Sequence, residues 1–502
     1  MKILLVYPEF PDTFWSFKHA LKFISKKATH PPLGLLTIAS MLPEEWNKKL
    51  IDLNVRPLRD TDFAGIDFVF LSAMSVQSKS VISVIKRCKE HKIRIVAGGP
   101  FFTAGYIDHN EIDYLVLNEA EITLPQFLND LETGNPKHIY STAEFADLNS
   151  TPIPSWNLIR LKDYSSMSVQ FSRGCPYNCD FCDVTNLFGR KFRTKSTSKI
   201  IEELNALYKR GWRGNVFFVD DNFIGNKKKL KLEVLPEIIE WQKAMKYPFT
   251  FNTQASINLS DDDELLQLMV DAGFNAVFVG IETTNEESLK ECKKTQNQRR
   301  EILHNVKKIQ KAGMEVQAGF ILGFDNDPPN IFDRMVDFIQ QSGIVTAMVG
   351  LLNAPKGTKL YERLVNENRI VKNFSGNNTD VSTNLIPKLG LDKLIDGYKR
   401  VVSEIYSPKY YYERVKKFLK EFKPQYKVNF SISNYLKNSE YLAALMKSIV
   451  IIGIKSKARI YFWKLFFWSL FKKPKSFPLM ITFSIYGYHF QRVFENLSNL
   501  HH

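Results

Sequence analysis

Short, mostly apolar runs separated by helix-length stretches govern the first 352 residues: Ile3–Tyr7, Val69–Ala73, Ile93–Ala97 and Tyr114–Leu117, then Met167–Phe171, Val216–Val219, Phe249–Asn252, Ala276–Val279, Val316–Leu322 and Ala347–Leu352. Such runs, without a polar face, read as strands buried on both sides, and those belong to parallel sheets covered by helices. The pattern predicts an α/β chain with a doubly wound, Rossmann-like domain over residues 1–150. A linker carrying Pro152 and Pro154 follows over 151–165, then a second parallel strand-and-helix region over 166–385. From 386 to 502 the pattern turns to helices without strands. At 502 residues the chain is too long for one core.

The strand Met167–Phe171 feeds Arg173-Gly174-Cys175-Pro176-Tyr177-Asn178-Cys179-Asp180-Phe181-Cys182, where three of the five cysteines fall within eight residues. Three thiolates on one loop can hold three irons of a 4Fe–4S cluster, and the loop supplies no fourth ligand, so one iron stays open for chemistry. Structural zinc wants four tetrahedral N/S ligands, and no further Cys or His lies near the loop in sequence. Cys88 and Cys292 suggest no disulfide framework. The apolar run at Met1–Pro8 is too short for a signal peptide, so a cytoplasmic protein is expected.

Cys175-x3-Cys179-x2-Cys182, with Phe181 before the last cysteine, resembles the signature of radical S-adenosylmethionine enzymes. The resemblance implies a partial (β/α)6 barrel on the six strands from Met167 to Leu352 and a 4Fe–4S cluster on Cys175, Cys179 and Cys182. It also implies S-adenosylmethionine on the open iron, split to a 5'-deoxyadenosyl radical by an electron from an external flavodoxin- or ferredoxin-type donor. In such barrels the site gathers at the carboxyl ends of the strands. There Asp220-Asp221-Asn222 stands where the family often has Gly-Gly-Glu to hold the cofactor's amino group, a task for a carboxylate facing an ammonium. Glu282 of Gly280-Ile281-Glu282 stands where the family bonds the ribose. Gly319-x-Ile321-x-Gly323 resembles the strand edge that pairs with adenine, with Asn326 in place of that motif's glutamate. Phe181 and Ile321 complete the expected cofactor site, and Gln254 is a further side chain that could face the cavity.

In open α/β sheets ligands bind beyond the carboxyl ends of the strands. This places Ser72, Met74, Ser75, Gly98, Gly99, Pro100, Asn118 and Glu119 along one crevice, with two glycines that allow close backbone approach to a large ligand. No G-x-G-x-x-G follows the first strand, as a dinucleotide site would require. This layout, with Pro31-Pro32-Leu33-Gly34 and Gly98-Gly99-Pro100, resembles the cobalamin-binding domain placed before the barrel in a subgroup of radical enzymes. Asp52-Leu53-Asn54 stands where many cobalamin domains carry Asp-x-His, so the resemblance implies cobalamin without implying a protein histidine on cobalt.

Residues 401–502 hold 17 Lys+Arg against 5 Asp+Glu, so +12 of the net +15 sits in the last fifth. Tyr461–Lys473 sets aromatic mass beside lysines, and the longest uncharged run in this tail, Ser476–Gln491, is too short to span a bilayer. Two readings stand: peripheral contact with anionic lipid, or a basic helical domain whose aromatics pack on the barrel. The whole layout is similar to hopanoid C-2 methylases. It implies a cobalamin-dependent C-methyltransferase acting on an unactivated carbon of a small or lipid-like substrate. A non-methylating cyclase or oxidase and, with less support, an RNA-modifying radical enzyme are the alternatives. No RNA-binding module is recognisable, so no nucleic-acid partner is expected.

Overall fold

Strand β1 (Lys2–Tyr7) buries four consecutive residues, Ile3 to Val6. Successive side chains leave a strand on opposite faces, so Ile3 and Leu5 join one core with Phe68 and Phe70, while Leu4 and Val6 join another with Val69 and Leu71. Two cores on one sheet need helices on both faces. Leu33–Met41 and Ala120–Glu132 cover the first and Ser78–Glu90 the second. These relations come from a computed structural model of the chain, which describes residues 1–106, 109–377, 379–425 and 439–498.

The remaining strands of this sheet are β2 (Asn47–Asp52), β3 (Phe68–Ser72), β4 (Arg94–Gly98), β5 (Tyr114–Val116) and β6 (Ile139–Tyr140). All pair in parallel, in the order β2-β1-β3-β4-β5-β6. β2 and β6 escape the sequence reading because both are edges: β2 buries only Ile51 and Asp52, and β6 is two residues long. The chain reverses direction across the sheet between β1 and β3, which opens a crevice at their carboxyl ends.

The second sheet contains β7 (Met167–Val169), β10 (Gly214–Phe218), β11 (Phe249–Gln254), β12 (Phe274–Glu282), β13 (Glu315–Leu322) and β14 (Ala347–Leu351), parallel and in chain order. Among the described residues β7 and β14 do not pair, so the barrel is partial. Its six strands are the six predicted ones. Between β7 and β10 lies a two-residue antiparallel ladder, β8 (Ser172–Arg173) with β9 (Arg193–Thr194), which clamps the base of the cysteine loop.

Helices Leu391–Ile405, Pro408–Glu421, Arg459–Lys472 and Phe477–Ser498 follow, with Ser439–Ser448 running on through Ile449–Lys455. Residues 426–438 and 499–502 of the predicted helical tail lie outside the described residues. The last helix packs on the N-terminal segment, where Phe14 stacks on Phe490 at 4.2 Å, and Tyr411 donates to the Phe483 carbonyl. Arg414 is fully buried, held by Gln340 and the Ile405 carbonyl and stacked on Tyr406 and Tyr411. Among the described residues no helix is long and apolar enough to cross a membrane.

Candidate active site

The cysteine loop is shaped from its base. Gly174 takes φ +87, and a side chain there would meet the Lys191 carbonyl at 2.7 Å, so only glycine lets the chain turn into the loop. Cys182 N–H then donates to the Cys179 carbonyl, and Asp180 N–H to that of Cys292. Cys175, Cys179 and Cys182 are half-buried and free, whereas Cys88 and Cys292 are buried. Burial pushes the Cys175 and Cys182 thiols up. As bare thiols they stay protonated, and a bound cation is what would draw them into thiolate form, which fits an iron cluster.

Beside them lies Lys294. Burial disfavours its charge, but Glu282 and then Cys179 more than reverse this and hold it cationic. Its ammonium sits 2.6 Å from the Glu282 carboxylate. Glu282 itself has φ +67 at a bulge between β12 and β13, an uncommon backbone for a non-glycine residue, and the Asn297 amide ties down the Gly280 and Ile281 carbonyls behind it. Phe181 and Ile321 join Phe324, Leu352 and the buried Cys292 in one apolar cluster.

The three residues after β10 divide. Asp220 is buried and accepts from Phe171 N–H and from both the N–H and hydroxyl of Ser172. Asn222 accepts from Ser256 N–H and hydroxyl. Both therefore tie strand ends together, and Asp221 alone lines the cavity. Burial pushes the Asp221 carboxyl up to about 6, with Asp183 adding to the shift, and it lies near enough to Cys175 to perturb that thiol.

A cavity of about 1180 Å³ lies between the carboxyl ends of the two sheets. That exceeds the roughly 300–1,000 Å³ of a one-ligand pocket. Ser72, Met74, Gly98, Gly99, Pro100, Asn118 and Glu119 all line it, and Gln254 faces it from the barrel. Ser75 does not line it, and Gly376 lies against Ser75 instead. The two glycines answer first to their neighbours: a side chain at Gly98 would meet the Val116 carbonyl at 2.4 Å, and one at Gly99, φ +88, would meet the Ser72 hydroxyl at 2.5 Å. Asn54, at the position of the absent histidine, is occupied by Phe10 N–H, the Pro8 carbonyl and Asp52.

Glu119 lines the cavity and has a second task besides. Its carboxylate takes a bidentate pair from Arg193 at 2.9 and 2.6 Å and a bond from Ala146 N–H. Glu121 takes the matching pair from Arg173 at 3.1 and 2.7 Å. All four side chains are 12% exposed or less. The arginines face each other across one rung of the β8–β9 ladder, the rung nearer the cysteine loop, so the loop is clasped to the N-terminal sheet.

The reading of the sequence missed one wall of the cavity. Trp15 meets Phe278 edge-on at 5.5 Å and its indole donates to the Met348 sulfur, while Phe17 lies against Tyr486 of the last helix. Aromatic residues of this kind look like ordinary core until the fold turns them toward a void. His30, Gln170, Asn252 and Gln317 line the same space.

A loop with this cysteine spacing after the first strand of a partial barrel, its base residue Arg173 lining one cavity with the crevice of a doubly wound N-terminal sheet, defines a cobalamin-dependent radical S-adenosylmethionine enzyme. Family models agree: a B12 binding domain matches residues 23–128, the radical SAM superfamily residues 169–339, and a domain of unknown function, DUF4070, residues 358–502. An uncharacterized methyltransferase of Synechocystis sp. is 43% identical over 98% of this chain and 91% of its own length. Hopanoid C-2 methylase of Rhodopseudomonas palustris is 34% identical over 92% and 88%. Among solved structures, the cobalamin-dependent radical enzyme OxsB with aqua-cobalamin bound shares the fold at TM-score 0.59, with 15% identity over 99% of this chain and 80% of that one. The methyltransferase TsrM of Kitasatospora setae, with cobalamin and a [4Fe-4S] cluster bound, does so at 0.56, with 16% identity over 74% and 76%. The chain belongs to the cobalamin-dependent radical S-adenosylmethionine family that includes hopanoid C-2 methylase, and its cofactors are a 4Fe–4S cluster, S-adenosylmethionine and cobalamin.

Proposed function

We propose that this enzyme methylates an unactivated carbon of a neutral, largely apolar, lipid-like substrate. The observation that carries the reading is the single cavity shared by the crevice and the barrel, walled by Trp15, Phe17, Phe278 and Met348 with amides Gln170, Asn252, Gln254 and Gln317 among them. When bound, the cluster with S-adenosylmethionine supplies a hydrogen-abstracting radical and cobalamin a methyl group. Cys175, Cys179 and Cys182 would hold the cluster. Asp221 would face the ammonium of S-adenosylmethionine, Glu282 its ribose, and Phe181 and Ile321 the apolar surroundings of its adenine. Asp220 and Asn222 act behind them as strand ties. Ser72, Met74, Gly98, Gly99, Pro100 and Asn118 would face cobalamin, and the aromatic wall would orient the substrate and exclude water.

The tail supports a lipid source for that substrate. Phe462 and Leu465 turn inward, whereas Ile454, Ile460, Phe467 and Phe471 are 51 to 75% exposed beside Lys455, Lys457, Lys464, Lys472 and Lys473. Exposed aromatics bordered by lysines suit an anionic bilayer surface. The helix Ser439–Lys455 reaches the cavity rim, since Lys447 donates to the Lys22 carbonyl and Ser25 hydroxyl. Peripheral docking at the inner face of the cytoplasmic membrane, with a flavodoxin- or ferredoxin-type donor, completes the reading.

The test compares cells with and without the gene, fed methyl-labelled methionine. A labelled lipid-soluble species should vanish on deletion and return with the wild-type gene but not with Cys175, Cys179 and Cys182 changed to Ala. A gene-dependent product without label would favour cyclisation or oxidation instead, and label lost only from RNA would overturn the proposal.

A further inference from the structure

Behind the aromatic wall of the cavity, the N-terminal segment meets the last helix through three metal-ligating side chains. Asp12, His19 and His489 each offer a ligand atom within 4.8 Å of the other two. His19 Nε2 lies 2.7 Å from Asp12 Oδ2, and Asp12 Oδ1 also accepts from the Ser16 hydroxyl at 3.3 Å. His489 is fully buried; its Nε2 lies 3.0 Å from the Phe14 carbonyl, and its Nδ1 has no hydrogen-bond partner among the described residues.

A carbonyl can only accept, so Nε2 carries the proton and Nδ1 keeps its lone pair. That is the arrangement of a metal-ligating histidine, whose second nitrogen donates to a backbone oxygen and so fixes the tautomer. A buried imidazole nitrogen with nothing to accept is otherwise a cost the fold would avoid. Two imidazoles and one carboxylate are the donor set of a borderline divalent ion with room for a fourth ligand. Ligand atoms around such an ion stand roughly 3.3–3.5 Å apart, so the rim side chains Asp12 and His19 need only small movements to close on it.

We infer that Asp12, His19 and His489 form a binding site for a divalent transition ion of the zinc class, separate from the iron cluster. The ion would staple the segment carrying Trp15 and Phe17 to the helix carrying Tyr486, and so hold the cavity wall. Asp12 is exposed and His19 half-buried, so substitution at either disturbs little of the core.

Full-length protein loaded with cluster and cobalamin is stripped with a mild chelator, incubated with zinc chloride, desalted and assayed for zinc and iron by mass spectrometry. Wild type should hold about one zinc per chain with its iron unchanged, and zinc should raise its Tm. His19→Ala and Asp12→Asn should weaken zinc binding at least tenfold and abolish the Tm rise while keeping full iron. His489→Ala should behave likewise. Equal zinc in wild type and His19→Ala, or zinc gained only as iron is lost, would overturn the inference.

Discussion

Glu121→Gln keeps the shape of the side chain and removes its charge from the clasp that joins the cysteine loop to the N-terminal sheet. Burial alone would push the Glu121 carboxyl up, but the hydrogen bonds and charge of Arg173 more than reverse this and carry it from 4.5 down to about 2. At about 1.4 kcal/mol for each tenfold change in proton affinity, the environment of Glu121 contributes about 3 kcal/mol at neutral pH. Glutamine would leave the Arg173 guanidinium, 12% exposed, without its bidentate partner, a change that typically costs about 3–5 kcal/mol. Glu119, 3.6 Å from Arg173, keeps the loss near the lower figure. Urea unfolding at pH 7 under argon, followed by tryptophan fluorescence, should find the variant about 3 kcal/mol less stable, with exposed Glu132→Gln unchanged as a control. Because the pKa is depressed, the stabilisation is complete above pH 4.5 and is lost as pH falls toward 2, so wild type and variant should converge in acid. A loss below about 1 kcal/mol, or the same loss when Arg173 is already Gln, would refute the clasp.

Three further outcomes follow from the site. Asp221→Asn should weaken S-adenosylmethionine binding about tenfold in equilibrium dialysis with iron content unchanged, whereas Asp220→Asn should lower Tm by disturbing the buried donors of Phe171 and Ser172; the reverse pattern would exchange their roles. Gly98→Ala forces a methyl group onto the Val116 carbonyl and should cost about 1–3 kcal/mol together with cobalamin retention, while Gly34→Ala, with no protein atom within 4 Å, should cost little stability. Phe467→Ser with Phe471→Ser should reduce sedimentation with anionic vesicles at least tenfold, since each buried Phe contributes about 1.5–3 kcal/mol, and unchanged binding would remove the lipid-docking argument.

Legibility followed the range of the interactions. The six barrel strands were readable because each is a dense local run such as Ala276–Val279, and the cysteine loop because its ligands lie within eight residues. Most of the predicted crevice residues reach the cavity because strand ends dictate where a chain turns. The partners of Glu119 and Asp220 were hidden because a carboxylate at a strand end looks the same whether it meets a ligand, a neighbouring strand end or an arginine 74 residues away. Trp15 and His489 were silent because their meaning lies in partners more than 300 residues distant, Met348 and Phe14.

The Glu119-Ala120-Glu121 clasp also bears on how such enzymes can be recombined. A hybrid that splices a foreign cobalamin module ahead of this barrel would bring two guanidiniums into a dry seam, and it would tolerate them only if the donor carries the same acidic pair after its fifth strand. The two halves are thereby keyed to each other, and exchange between relatives should succeed along lineages that keep lock and key together.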